Sequence, residues 1–212
     1  MKTFIGVILM VSMWTTGYGQ KDEKASALLE EVSNKTRTYS SIKADFTYSM
    51  DNKVARIHES KTGNLLVSGD KYKVYVAGQE VFCNGIQMWT YIGESNEVQI
   101  NEMDTRKDAI TPTNILTSYH TNYQSRIIQD KDAADPNLEA IELIPYTPGN
   151  YQKVIVIIDK KMKQIKSFKI FDQNGNIFTY KVTRFQVNVP VKDSDFIFNV
   201  KDYDNVEVID MR

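Results

Sequence analysis

Asn84-Gly85-Ile86-Gln87-Met88-Trp89-Thr90-Tyr91 is the stretch whose reading decides the fold class. Asn-Gly between two apolar runs signals a hairpin, because a type I′ turn takes φ > 0 at both central residues. The strand that follows places Trp89 and Tyr91 on one face, since side chains two apart in a strand point the same way. Two large aromatics on one face of a sheet require an apolar cover.

Upstream of the turn the period stays at two. Ile42, Ala44, Phe46, Tyr48 and Met50 alternate with Lys43, Asp45, Thr47 and Ser49, a half-buried strand. Glu59 to Val67, Lys71 to Val76 and Glu80 to Cys83 follow as strands, with Gly63, Gly69-Asp70 and Gly78 as punctuation. Beyond the turn, strands are expected at Glu97 to Met103, Tyr123 to Gln129, Leu138 to Ile144, Lys153 to Ile158, Ile165 to Phe171 and Ile177 to Val187. Asn174-Gly175 closes a second hairpin. Phe196 and Phe198 mark a last short strand or edge segment, and Val206 to Ile209 is a further candidate.

Two helices interrupt this pattern. Ala25, Leu28, Leu29, Val32 and Tyr39 recur at helical spacing, giving an amphipathic helix from about Asp22 to Tyr39. Thr111-Pro112 reads as an N-cap with proline at the first helical position, and Ile115, Leu116 and Tyr119 form the apolar side of a short helix. About eleven strands against two helices make a mainly β (α+β) fold, and a sheet that long must curl. The expected architecture is a curved antiparallel sheet, an unclosed half-barrel, lidded by the N-terminal and central helices. Assignment of residues to its two faces rests on strand parity.

The first residues read as an export signal. Lys2, the apolar run Phe4 to Trp14 and the small-x-small site Gly17-Tyr18-Gly19 predict cleavage before Gln20. Residues 1–19 are thus expected to be a signal peptide and residues 20–212 a single domain, in the periplasm of a Gram-negative cell. The net charge of −1 gives no electrostatic footprint for nucleic acid. Cys83 is the one cysteine, so no internal disulfide forms, and nothing beside it in sequence lowers a thiol pKa.

Catalytic motifs are missing: there is no Gly-x-Ser-x-Gly elbow, His-Glu-x-x-His or glycine-rich phosphate loop. His58 and His120 read as surface or cap residues, and Asp130, Asp132, Asp135 and Glu139 as a solvated acidic loop without the spacing of a calcium site. No enzyme activity, cofactor or metal is expected. The aromatics spread over successive strands are core in most cases. A half-closed sheet lined by them under a helix also suits an acyl chain, whose burial gains about 0.8 kcal/mol per methylene without any charged group.

Several segments in order resemble the periplasmic lipoprotein carrier family, LolA. These are the N-terminal helix with Ser41-Ile42-Lys43-Ala44-Asp45-Phe46, the Gly63-Asn64-Leu65 strand, the Asn84 to Tyr91 hairpin, Pro112 to Leu116, Leu143-Ile144-Pro145, and Phe196-Ile197-Phe198. The resemblance implies a monomeric chaperone that takes acylated lipoproteins from an inner-membrane release complex to an outer-membrane acceptor. It implies acyl contacts from Phe46, Tyr48, Trp89, Tyr91, Ile115 and Leu116, with Leu28, Leu29 and Val32 on the lid side. The characterised carriers have an Arg-Pro pair after the Gly-x-Leu strand, the arginine being tied to the lid. Here those positions read Ser68-Gly69-Asp70, and Lys71 and Lys73 are the nearest cations. The alternative reading is a lipid-binding envelope sensor or module on the same fold.

Overall fold

Strand β1 (Ile42–Asn52) is flanked on both sides, by β2 (Ile57–Ser68) and by β11 (Ile177–Val187), and so joins two halves of one sheet. The structure is a computed structural model, and it describes residues 22–104, 111–112, 123–147 and 149–212. One half is a meander of β2, β3 (Lys71–Val76), β4 (Gln79–Cys83), β5 (Gln87–Ile92) and β6 (Glu97–Glu102). The other runs from β11 outward through β10 (Gln164–Asp172), β9 (Tyr151–Asp159) and β8 (Leu138–Pro145) to β7 (Tyr123–Ile128). The twelfth strand, β12 (Glu207–Asp210), adds to β6. Its pairing is parallel, whereas the other pairs are antiparallel. β12 and β7 are the two edges, so the sheet stays unclosed.

The eleven expected strands are present, and Val206 to Ile209 supplies most of the twelfth. The segment around Phe196 is not a strand. Asp193–Phe196 makes a 3₁₀ turn that lays Phe196 into the interior, with the Asp195 carboxylate accepting the Lys192 N–H at 2.8 Å. The Asn84-Gly85 hairpin also differs from expectation. Only Gly85 has a positive φ (92°), and the reversal runs over Gly85-Ile86. Asn84 contributes its side chain, whose carbonyl accepts from the Ile86 and Gln87 N–H groups at 3.0 and 2.9 Å. An Asx side chain thus replaces the backbone acceptor that a turn would otherwise need. The two positive φ values of a type I′ turn occur instead at Ala77 (54°) and Gly78 (82°), between β3 and β4.

Helix α1 (Glu23–Arg37) covers one face, here called inner, of β8, β9 and β10. Asp22 starts it: one carboxylate oxygen caps the Lys24 and Ala25 N–H groups and the other accepts the Ile127 N–H of β7 at 2.9 Å. That one side chain both begins the helix and occupies a donor on an edge strand, where free donors invite pairing with other chains. The apolar stripe Ala25, Leu29 and Val32 is fully buried on Ile141, Leu143, Val154, Val156 and Ile158. β9 is buried on both faces from Val154 to Ile158, because Ile155 and Ile157 point outward into a second cluster with Ala140, Phe171 and Ala133.

Buried charge on this outer face is paired. Glu142 is 3% exposed and is held by Lys153 at 2.8 Å and by Arg126. Burial alone would raise its pKa, but the hydrogen bonds from Lys153 and Arg126 outweigh this and hold the carboxyl below its usual range. Asp130 is likewise raised by burial and lowered more strongly by the Asp132 N–H and Lys169. Carboxylates with depressed folded-state pKa values stabilise above their unfolded pKa, and that stability is lost as pH falls through the folded value. The melting temperature is therefore expected to hold from neutrality down to about pH 5 and to drop below about pH 4. Glu142→Gln should flatten the acid limb, measured by calorimetry across pH.

Gly63 marks a close approach. A Cβ there would lie 2.5 Å from the Phe46 ring and 2.6 Å from the Tyr75 carbonyl oxygen. The Phe46 ring lies directly on bare backbone, and the carbonyl cannot yield as a flexible side chain could. Gly63→Ala is expected to destabilise by about 2 kcal/mol, read from urea unfolding, with Phe46 displaced.

Candidate functional site

Beside α1 the inner face opens into a cavity of about 220 Å³. Its floor comes from five adjacent strands. β1 gives Ile42, Ala44 and Phe46; β2 gives Leu65; β3 gives Val74 and Val76; β11 gives Tyr180, Val182 and Phe185; β10 gives Ile165, Phe168 and Ile170. Thr36 of α1, Tyr39, Pro112, Lys163 and Gln164 complete the lining. Among these described residues Lys163 alone carries a charge, and its ammonium is paired with Glu31 of α1. The space exceeds the roughly 150 Å³ apolar cavity that takes up benzene.

A bulge shapes the site. Asp45 pairs with Arg184 and Phe46 with Val182, leaving Thr183 as an extra residue in β11. Such a bulge bends and twists its strand. It also keeps both Phe185 and Val182 on the inner face, although they are three residues apart. Tyr180 is the hub of the aromatics, with ring centroids 4.6 Å from Phe168, 5.2 Å from Tyr48 and 5.7 Å from Phe46. Burial pushes its phenol up to about 12, so it stays neutral at physiological pH. A low-dielectric wall of this kind suits an uncharged, flexible apolar ligand.

The residues singled out from sequence separate into four places. Phe46 lines the cavity, and Tyr48 backs it through Tyr180 and Phe178. Leu29 and Val32 lie in the solid core under α1, with Leu28 partly buried against it, so the helix reaches the cavity through its last turn instead. Trp89 and Tyr91 do not face the cavity. The ladder Ala44, Leu65, Val74, Val81, Thr90 runs across five strands on the inner face, which turns Trp89 and Tyr91 outward. There they meet the chain's own C-terminal segment: Tyr91 lies 4.5 Å from Tyr203 and 5.8 Å from Phe198, and Trp89 packs in the same cluster with Phe82 and Val98. Ile115 and Leu116 lie outside the described residues, as do residues 1–19 and His120. Pro112, the start of the expected central helix, is at the cavity.

The cations nearest the position of the family arginine are also on the outer face. Lys71 pairs with Asp193 at 2.7 Å, and Lys73 with Glu80 at 3.1 Å while lying over the Phe82 ring. The link between helix and sheet at the cavity is made elsewhere: Lys35 donates to the Met162 carbonyl at 2.7 Å and Glu31 pairs with Lys163. Other candidate chemical groups have structural partners. His58 meets Asp51 at 2.6 Å across β1 and β2, Asp130 and Asp132 hold Lys169, and burial pushes the Cys83 thiol up.

Residues 37–199 match the family described as outer membrane lipoprotein carrier protein LolA. The chain belongs to the LolA family. No curated protein sequence matches it. Among solved structures, an uncharacterized conserved protein from Thermus thermophilus is 12% identical with a TM-score of 0.52, covering 89% of this chain and 99% of that one. A DUF1329 family protein from Desulfovibrio piger is 8% identical with a TM-score of 0.50, over 84% and 98%. A LolA superfamily protein from Nitrosomonas europaea is 11% identical with a TM-score of 0.46, over 82% and 97%. At these identities the likeness is one of fold. Within this LolA-family fold, the cavity and the outward aromatic cluster are separable. Val182→Trp, which fills the cavity, is expected to weaken binding of a fluorescent fatty acid at least about tenfold with little change in melting temperature. Tyr91→Ala should do the reverse, lowering stability by about 2–3 kcal/mol and leaving probe affinity intact.

Proposed function

We propose that this chain is a periplasmic carrier that shields the acyl chains of lipoproteins in the inner-face cavity and moves them from the inner to the outer membrane. The observation that carries the reading is the partly open apolar cavity between α1 and β1, β2, β3, β10 and β11, in a chain of the LolA family. The contacts proposed for acyl chains are Phe46, Val182, Phe168 and Phe185 on the floor, with Ile115 and Leu116 as lid residues. Residues 1–19 act as the export signal in this reading, residues 20–212 form one carrier domain, and no covalent chemistry takes place.

The carrier needs an inner-membrane release complex to load it and an outer-membrane acceptor to unload it. Direction comes from the acceptor's tighter hold, because a carrier must bind well enough to load and weakly enough to release. Binding by apolar burial serves this purpose: it is graded by chain length and needs no group to be broken or protonated.

Native mass spectrometry of the protein purified from the periplasm tests the reading. A bound diacylated or triacylated lipoprotein is the expected result. A different lipid, together with a stable protein partner, would replace the carrier with the envelope-sensor reading. An empty cavity in protein isolated from cells making lipoproteins would count against both.

A further inference from the structure

The hairpin between β9 and β10 reads Asp159-Lys160-Lys161-Met162-Lys163-Gln164-Ile165-Lys166, four lysines and one acid in a chain of net charge −1. The Asp159 carboxylate accepts the Met162 N–H at 2.8 Å and fixes the turn, and the four lysines outnumber it. Met162 is 51% exposed, an apolar side chain presented to solvent at the tip. Lys160 is paired with Glu139 and Lys163 with Glu31, while Lys161 is exposed and has no carboxylate partner among the described residues. Lys35 arrives from α1 to bind the Met162 carbonyl, which adds a further cation to the same end of the molecule.

This tip adjoins the cavity. Lys163 and Gln164 are half-buried lining residues, next in sequence to Met162, and Thr36 lies one residue after Lys35. Lys163 has φ +48°, a left-handed conformation unusual for a residue with a Cβ, at the last position of the turn before β10, and its ammonium pairs with Glu31. An exposed apolar side chain ringed by lysines on a narrow hairpin offers no groove for a protein segment. It matches the chemistry of a lipid interface, where apolar groups enter the acyl boundary and lysines meet anionic headgroups.

We propose that the β9–β10 hairpin docks the protein on an anionic lipid surface through Met162 and its lysines, bringing the cavity rim against the bilayer. The purpose rests on the carrier reading; the docking itself does not. Each basic residue near an anionic surface strengthens attachment about fivefold, and salt screens the effect over about 10 Å, so a few lysines give a reversible landing.

The test is flotation of the purified chain with phosphatidylcholine vesicles with and without phosphatidylglycerol, at low and high salt. The comparison is with the double variant Lys161→Glu, Met162→Ser, neither side chain of which lines the cavity. The parent should float only with phosphatidylglycerol and mainly at low salt. The variant should bind those vesicles at least about tenfold more weakly, with unchanged melting temperature and unchanged uptake of a soluble fluorescent fatty acid. Equal flotation of parent and variant, or no preference of the parent for phosphatidylglycerol, overturns the docking while probe uptake keeps the cavity reading intact. Loss of flotation in the variant, with no probe uptake by either protein, upholds the docking and sinks the carrier reading.

Discussion

The structure depends on the double pairing of β1. Through β2 it carries the meander that ends at β6, and through β11 it carries the half that α1 covers. Without the β1–β11 ladder there are two separate sheets, each with an open edge, and no cavity, since the lining is drawn from both sides of that seam. The aromatic contacts of Tyr180 with Phe46 and Tyr48 cross the same seam and add side-chain attraction to the backbone ladder. The bulge at Thr183 and bare Gly63 sit on either side of β1, opposite Phe46. Both are local irregularities placed where the sheet must bend to enclose space.

Much of the fold is legible in the sequence because the period of two is strict wherever one face is buried. The alternation of Ile42 to Met50 names a strand by its period, whereas Val154 to Ile158, buried on both faces, reads as one through its β-branched residues and short length. The site is legible only in part. Phe46 can be found because β1 carries the inner face in plain alternation, whereas Trp89 and Tyr91 fall on the side opposite to the one expected. Parity within a strand is readable; parity between strands requires the register of every turn between them. Four hairpin connections separate Ala44 from Thr90, and each can shift the phase. Ala44, Leu65 and Val74 escape notice for a related reason: small and aliphatic residues at strand centres look identical whether they face a core or a cavity. A better signal lies in the C-terminal aromatics. Phe198 and Tyr203 need a cover of their own, and pairing them with Trp89 and Tyr91 removes those two from the cavity.

The two faces of the sheet divide the labour. The outer face is closed by the chain itself, with the C-terminal aromatics over β4 to β6 and the loop at residues 130–133 over β8 to β10. Its buried charges, Glu142 and Lys169, are held in ion pairs. Among the described residues α1 closes one half of the inner face, and the cavity lies beside it. A solid outer side lets the inner side stay incompletely filled at tolerable cost, since an apolar void loses contacts on one side only.

The seam also governs when the protein can fold. Ile42 waits for Val187 and Glu97 for Glu207, so the central ladder and one edge are completed only once residues 177–210 have been made. Pairings of such wide sequence separation are slow to form, on the scale of milliseconds to seconds. A nascent chain interrupted before residue 177 would hold its first strand with one flank bare and apolar. That flank would stay exposed to stray strand pairing until β11 arrives.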